Sequence, residues 1–321
     1  MDIDAHAVPS AGPTFDKAPK RGLLKSLIKN ALIFGAKRFY WKPIKAVGKY
    51  GRVVFFDSAE PDTLLLTTIG EERFLVSSSD QSIGRDVYLY GGYDFEKFEK
   101  VLARLDKGFE CKLLIDIGAN IGTICIPAVK RRHFERALAF EPEPFNYSLL
   151  AANISINGLS TEVESYNIAL GETEDEELSF ELSETNYGDH RIRFSGERGL
   201  YGEDQRKVIN IKSEPLDKIV DDIDPASTLI WMDTQGFEGY VLKGAQRTLA
   251  KRPPLVIEFS PYHMKRSGSY QKLKQALCGV GYSVFFDLNE NASPIGVSEE
   301  AFDKLFERIG EDGNYTDLLI V

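Results

Sequence analysis

Apolar and polar positions fall into two alternating patterns from residue 112 to the end of the chain. Short apolar runs predict strands at 112–117, 137–141, 163–168, 229–233, 255–259, 282–287 and 317–321. Between them apolar residues recur at spacings of three and four, as in Tyr147, Leu150, Ala151 and Ile154, or Leu273 and Leu277, which predicts helices buried along one face. Strands and helices in alternation predict an α/β fold with a doubly wound sheet. One stretch departs from this rule. Residues 172–214 contain ELSFELSE, NYGDHRIRF and KVINIKSE, whose period of two predicts a hairpin. It leaves from the carboxyl edge of a parallel sheet, where ligands bind, and is the expected substrate-reading surface.

The part before residue 109 reads differently. Residues 1–16 are rich in small and polar types and predict a mobile tail. Over 20–45, Leu23, Leu24, Leu27, Ile28, Ala31 and Leu32 share one helical face, Lys25 and Lys29 lie on another, and aromatics cluster at the end. The result is a basic amphipathic helix. Its lysines interrupt it too often for a bilayer span of about 20 apolar residues. Two readings stand: a peripheral helix on the anionic inner face of a membrane, or a helix packed on the main domain or a partner with its lysines solvated. RVVFFD, TLLLTT and RFLVSS, between 51 and 76, predict a small antiparallel sheet that serves as a lid or entrance. A helix over 95–105 follows. The expected organisation is a tail and basic helix (1–50), an N-terminal β/helix lid (51–108) and the core (109–321).

Composition bounds these readings. The 321 residues, 43% hydrophobic and 27% charged, suit one large domain with an appendage and exclude a disordered chain. Lys17 to Phe56 holds eleven Lys or Arg and no acid; beyond it stand 28 basic and 46 acidic residues, a balance that argues against nucleic acid as the main domain's substrate. Cys111, Cys125 and Cys278 form no paired set and read as inert thiols in a reducing, cytoplasmic compartment. No His/Cys metal set or paired Asp spacing predicts a metal site.

The chemistry concentrates in KLLIDIGANIGTICIPAVKRRHFERALAFEPEP. A strand ends near Asp116, turns through Gly118, Asn120 and Gly122, enters a helix and returns to a strand ending in Glu141. Glycines let the backbone approach a ligand, and a carboxylate at the second strand's end suits a ribose diol. The dinucleotide fingerprint G-x-G-x-x-G is absent, which counts against an NAD-dependent oxidoreductase. D-I-G-A-N-I-G, E-P-x-P and D-T-Q-G-F-E-x-x-V-L-K-G-A together resemble the FkbM family of class I S-adenosylmethionine-dependent methyltransferases.

That resemblance implies a seven-stranded Rossmann-like sheet with a reversed last strand, S-adenosylmethionine as cofactor, and methylation of a hydroxyl on a glycan, lipid-linked saccharide or other small molecule. It implies cofactor contacts at Asp116, Gly118, Asn120, Gly122, Glu141, Pro142, Asn167, Ile168 and Ala169. Tyr93 and Asp94, before the 95–105 helix, either border the cofactor or form an ordinary helix cap. Asp233, Glu258, His190 and His263 are the candidates for orienting or deprotonating the acceptor. Gln235 stands where many members have glutamate and cannot act as a base; Glu238 is assigned to the helix start or to function. No N-P-P-Y follows the fourth core strand, so oxygen is the expected acceptor atom. A non-catalytic module that keeps the nucleoside-binding fold is the rival reading.

Overall fold

The computed structural model describes residues 44–67, 69–290 and 293–321. The tail expected over 1–16, and the basic helix expected over 20–45 up to residue 43, lie outside the described residues. Val53–Val321 forms one compact unit, and it contains every feature discussed below except the start of the helix Ile44–Asp57. No helix among the described residues is long and apolar enough to cross a membrane.

RVVFFD, expected as a strand, is the end of a helix, Ile44–Asp57, that is broken at Gly48. Its β-branched and aromatic residues are overruled by packing: Phe56 is buried with its ring 5.5 Å from that of Tyr88, while Val54 and Phe55 face out. The other two segments form the expected antiparallel pair, β1 (Leu64–Thr67) and β2 (Phe74–Ser77). Asn153, in helix Pro144–Ile156, anchors this hairpin by accepting from the Leu75 N–H (2.6 Å) and donating to the Leu75 carbonyl (3.2 Å).

The remaining strands are β3 (Leu113–Ile117), β4 (Arg136–Phe140), β5 (Val163–Tyr166), β6 (Ala169–Leu170), β7 (Glu176–Leu182), β8 (Arg191–Ile192), β9 (Lys207–Glu214), β10 (Thr228–Met232), β11 (Leu255–Phe259), β12 (Val284–Asp287), β13 (Ile295–Gly296) and β14 (Thr316–Ile320). The large sheet runs β13-β12-β14-β11-β10-β3-β4-β5. Strands β5, β4, β3, β10 and β11 are parallel; β14 is antiparallel to both β11 and β12. The expected seven strands with a reversed last one are therefore present, with β14 inserted beside the edge and a two-residue strand, β13, added outside β12. Helix Glu299–Ile309, before β14, fills a stretch to which the periodicity assigned no element.

Two apolar layers sandwich this sheet. Leu113, Ile115, Ile117, Ile257 and Leu318 face one; Leu114, Ala137, Trp231, Val256 and Leu319 face the other. This parity places Asp116, Asp233, Glu258 and Asp317 on the second face. The 172–214 excursion, together with β6 just before it, forms a smaller sheet, β6-β9-β7-β8, in which β7 and β9 make the long hairpin.

Candidate active site

The turn after β3 is fixed by backbone contacts. Gly118 has φ +85°, and a Cβ there would run into the Asp233 carbonyl oxygen, so only glycine lets β3 and β10 diverge this closely. The N–H groups of Gly118 and Ala119 both donate to the Phe140 carbonyl, at 2.9 and 3.0 Å. Asn120 is left-handed (φ +49°), a conformation asparagine tolerates, and its Oδ1 accepts from the Ile121 N–H at 2.8 Å. Gly122 (φ +93°) leaves room for the Ile126 and Leu150 side chains.

Glu141, the first residue past β4, closes this turn from the other side. Its two carboxylate oxygens accept from the N–H groups of Asn120 and Glu143, both at 2.8 Å. Burial raises its pKa to about 8 against the pull of those two donors. The next residues of E-P-E-P start a helix: Glu143 caps the Asn146 N–H (2.6 Å) and Pro144 takes the first helical position.

Around Glu141 opens a cleft of about 650 Å³, counting the space open to solvent, walled by Gly118, Asn120, Pro142, Ile168 and Ala169 from the core and by Phe180, Tyr187, Gly188, His190 and Ile192 from the excursion. Asn120 and Asn146 each donate a side-chain N–H to the Tyr187 carbonyl, both at 3.0 Å, and hold the excursion loop over this space. Asn167 lies behind the wall, donating to the carbonyls of Glu141 (2.9 Å) and Pro142 (3.1 Å). Ile168 and Ala169 do not close a longer third strand; β5 stops at Tyr166 and Ala169 begins β6 in the smaller sheet.

Asp116 does not line this cavity. Its buried carboxylate turns to the helix side and accepts from the Cys125 N–H at 3.1 Å, and burial lifts its pKa to about 7. Its part is to position the turn, as is that of Gly122.

A second cavity, about 1090 Å³ and open to solvent, adjoins the first and shares Ile83, Gly188, Asp233 and Gln235 with it. Along its floor three carboxylates stand on neighbouring strands: Asp233 just past β10, Glu258 in β11 and Asp317 in β14, the last two directly opposite one another. Like charges so placed repel. Lys97 relieves one end of the row, pairing with Asp317 (2.6 Å) and Asp94 (2.9 Å). Gln235, left-handed at φ +52°, relieves the other: its amide donates to both Asp233 (2.7 Å) and Glu258 (3.0 Å). Burial, reinforced by the Asp233 charge, pushes the Glu258 pKa well up. Close packing of protein atoms, then the Asp317 charge, raise Asp233 to about 6.

The histidines separate. His190 belongs to the first cavity, where its Nδ1 accepts from the Ser183 N–H at 3.0 Å; desolvation, then Arg206 and Arg191, lower its pKa to about 4. His263 faces the second cavity and is 7% exposed, with neither ring nitrogen hydrogen-bonded; desolvation, then Arg191, lower its pKa to about 3. Glu238 is structural in its contacts, accepting from the N–H groups of Thr234 (3.0 Å) and Gly236 (3.2 Å) and from the Thr234 hydroxyl (2.9 Å). Tyr93 and Asp94 line the second cavity rather than the first, and Asp94, left-handed at φ +56°, makes no side-chain cap.

The pattern described as the Methyltransferase FkbM domain matches residues 116–284, more than half of the chain. The chain belongs to the FkbM methyltransferase family. Similar solved structures include methyltransferase FkbM from Methylobacillus flagellatus KT, 18% identical with TM-score 0.40, covering 71% of this chain and 59% of that one. Others are M. jannaschii TYW2 in complex with AdoMet (13%, TM-score 0.35, 82% and 86% covered) and the B. subtilis m1A22 tRNA methyltransferase TrmK (11%, TM-score 0.34, 70% and 64% covered). Curated proteins give no match. In this member of the FkbM family the glutamine of D-T-Q-G-F-E is a donor between two carboxylates. The matched stretch leaves out Lys97 and Asp317, both on the second cavity's wall. Sequence reasoning missed these two, together with Tyr201, Arg206 and Tyr315. Asp317 carried one signal, as the lone charge in the apolar run DLLIV.

Proposed function

We propose that this protein binds S-adenosylmethionine in the first cavity and methylates a hydroxyl of a small molecule or glycan held in the second. The observation that carries this reading is the meeting of the two cavities at Asp233, a carboxylate open to both. The residues of the first cavity fit the donor chemically: a carboxylate already held by two N–H groups retains lone pairs for a ribose diol, and apolar walls at Ile168, Ala169 and Phe180 suit a flat base. The bound donor supplies an electrophilic methyl group. Asp233 accepts the proton of the acceptor hydroxyl; with a pKa of about 6 it is ionised at neutral pH yet basic enough for this task. Glu258 and His263 hold the acceptor, and the excursion loop over the first cavity excludes water.

Calorimetric titration with S-adenosylmethionine, followed by transfer of a labelled methyl group to a panel of hydroxyl compounds, tests this reading. Saturable binding and label on oxygen are expected. Absence of donor binding would leave the scaffold reading standing instead.

A further inference from the structure

The second cavity is short of positive charge. Asp94, Asp189, Asp233, Glu258 and Asp317 line it against Lys97 and Arg206 alone. Both cations are already engaged, Lys97 with Asp94 and Asp317, and Arg206 with Asp189. Gln235 gives one amide to Asp233 and Glu258 together but brings no charge, and the crowding holds the Glu258 pKa up until a cation arrives. Such a wall repels anionic ligands and attracts cations.

Independent of that charge, His263 marks a seat. Its ring is buried against Tyr201 and Tyr262, with centroids 5.6 and 5.2 Å away, and neither nitrogen has a partner. A buried polar group left so in a cavity wall is completed by what the cavity binds. Its Nδ1 lies 4.0 Å from Glu258 Oε1, too far for a bond between them. One nitrogen could donate to both at about 2.9 Å. A hydroxyl bridges the two only by accepting from an Nδ1–H while donating to Glu258; an ammonium has protons for two acceptors and one to spare, and it brings the positive charge this wall lacks.

Resting on the reading of the first cavity as the donor site, we propose that the acceptor is a polyhydroxy amine, an amino sugar with its amine free, whose ammonium sits between Glu258 and His263 while a neighbouring hydroxyl faces Asp233. The amine anchors; it is not the methylated atom.

The test titrates the full-length protein calorimetrically, in buffer near neutral pH, where Asp233 is ionised and an ammonium beside Glu258 favours its ionised form, with glucosamine trimer and with its fully N-acetylated counterpart, each with and without saturating S-adenosylhomocysteine. The free amine is expected to bind about tenfold more tightly or better, the margin a charge-assisted bond provides. Glu258→Gln should remove that preference. Asp94→Asn, at a solvent-reached carboxylate, keeps the comparison available if the buried variant does not fold, and should narrow the preference about threefold through the charge alone. Equal binding of the two trimers, tighter binding of the acetylated one, or binding of neither overturns the proposal. S-adenosylhomocysteine binding, read by itself, reports separately on the donor site.

Discussion

The two cavities share four residues and are built in opposite ways. In the first, the Glu141 carboxylate is held by main-chain N–H groups and flanked by apolar walls, Asp233 stands where the second cavity joins, and the core side comes largely from one stretch of chain between β3 and the helix after β4. In the second, carboxylates, cations and tyrosines converge from the helix at Phe95–Leu102, the excursion, the ends of β10 and β11, and β14. A site made of backbone accepts one ligand shape and tolerates little change. A site made of side chains can change its ligand by exchanging residues while the sheet beneath stays as it is. On the proposed function, the first cavity takes the donor and the second selects the acceptor.

The sharpest way to break this division is at the shared carboxylate. Asp233→Asn should lower kcat by about 10²- to 10⁴-fold, the range for loss of a positioned base, while donor affinity stays within a few-fold. In the parent protein kcat/KM should rise with pH through an apparent pKa near 6, as Asp233 ionises, and the variant should lose that limb. An unchanged rate would make Asp233 a structural residue. Next in size is Glu141→Gln, which retains one acceptor oxygen for the N–H groups and removes the charge. Donor affinity should fall roughly 10- to 100-fold, as expected for losing a hydrogen bond to a charged group worth about 1.5–3 kcal/mol. Acceptor binding should hardly change. If both affinities fell together, the cavities would not be independent.

How far each cavity could be read from sequence follows from the same contrast. The first cavity was legible because Gly118, Asn120, Glu141 and Pro142 lie within one strand-turn-helix-strand unit, and Gly118 and Asn120 do have the positive φ that the turn requires. Asp116 was legible as a motif residue but not in direction. Every position of β3 is buried, so no alternation of burial marks which face it takes. The doubly wound sheet with its reversed last strand followed from the strand-helix alternation and the family resemblance, whereas the helical end of Ile44–Asp57 did not, because its β-rich residues are helical only in contact with a core the sequence does not display. The second cavity was legible one residue at a time, at Asp233, Glu258 and His263. Its character comes from Glu258 standing opposite Asp317 and from Lys97 reaching across to it, and both depend on strand register.

The smallest expected effect bears on stability. Asp116, Glu141 and Glu238 are pushed by burial to about 7, 8 and 7, and Asp233 to about 6, all above their ordinary values. A carboxyl whose pKa is raised on folding binds its proton more tightly in the folded state. The stability this confers is complete below the unfolded value of about 4 and is lost as pH rises through the folded one. The ligand-free protein should therefore melt highest in mildly acidic solution and lose on the order of 5 °C between pH 5.5 and about 8, where 1 kcal/mol corresponds to about 2–4 °C in a domain of this size. The donor should act against this trend. Hydroxyl groups donating to Glu141 favour its ionised form, so donor affinity should rise with pH up to about 8, and the melting curves with and without donor should draw apart as pH increases. In Glu141→Gln the separation should be smaller and independent of pH. Curves that stay parallel in the parent protein would show that the donor does not engage Glu141, and would take from the first cavity the carboxylate assigned to the ribose.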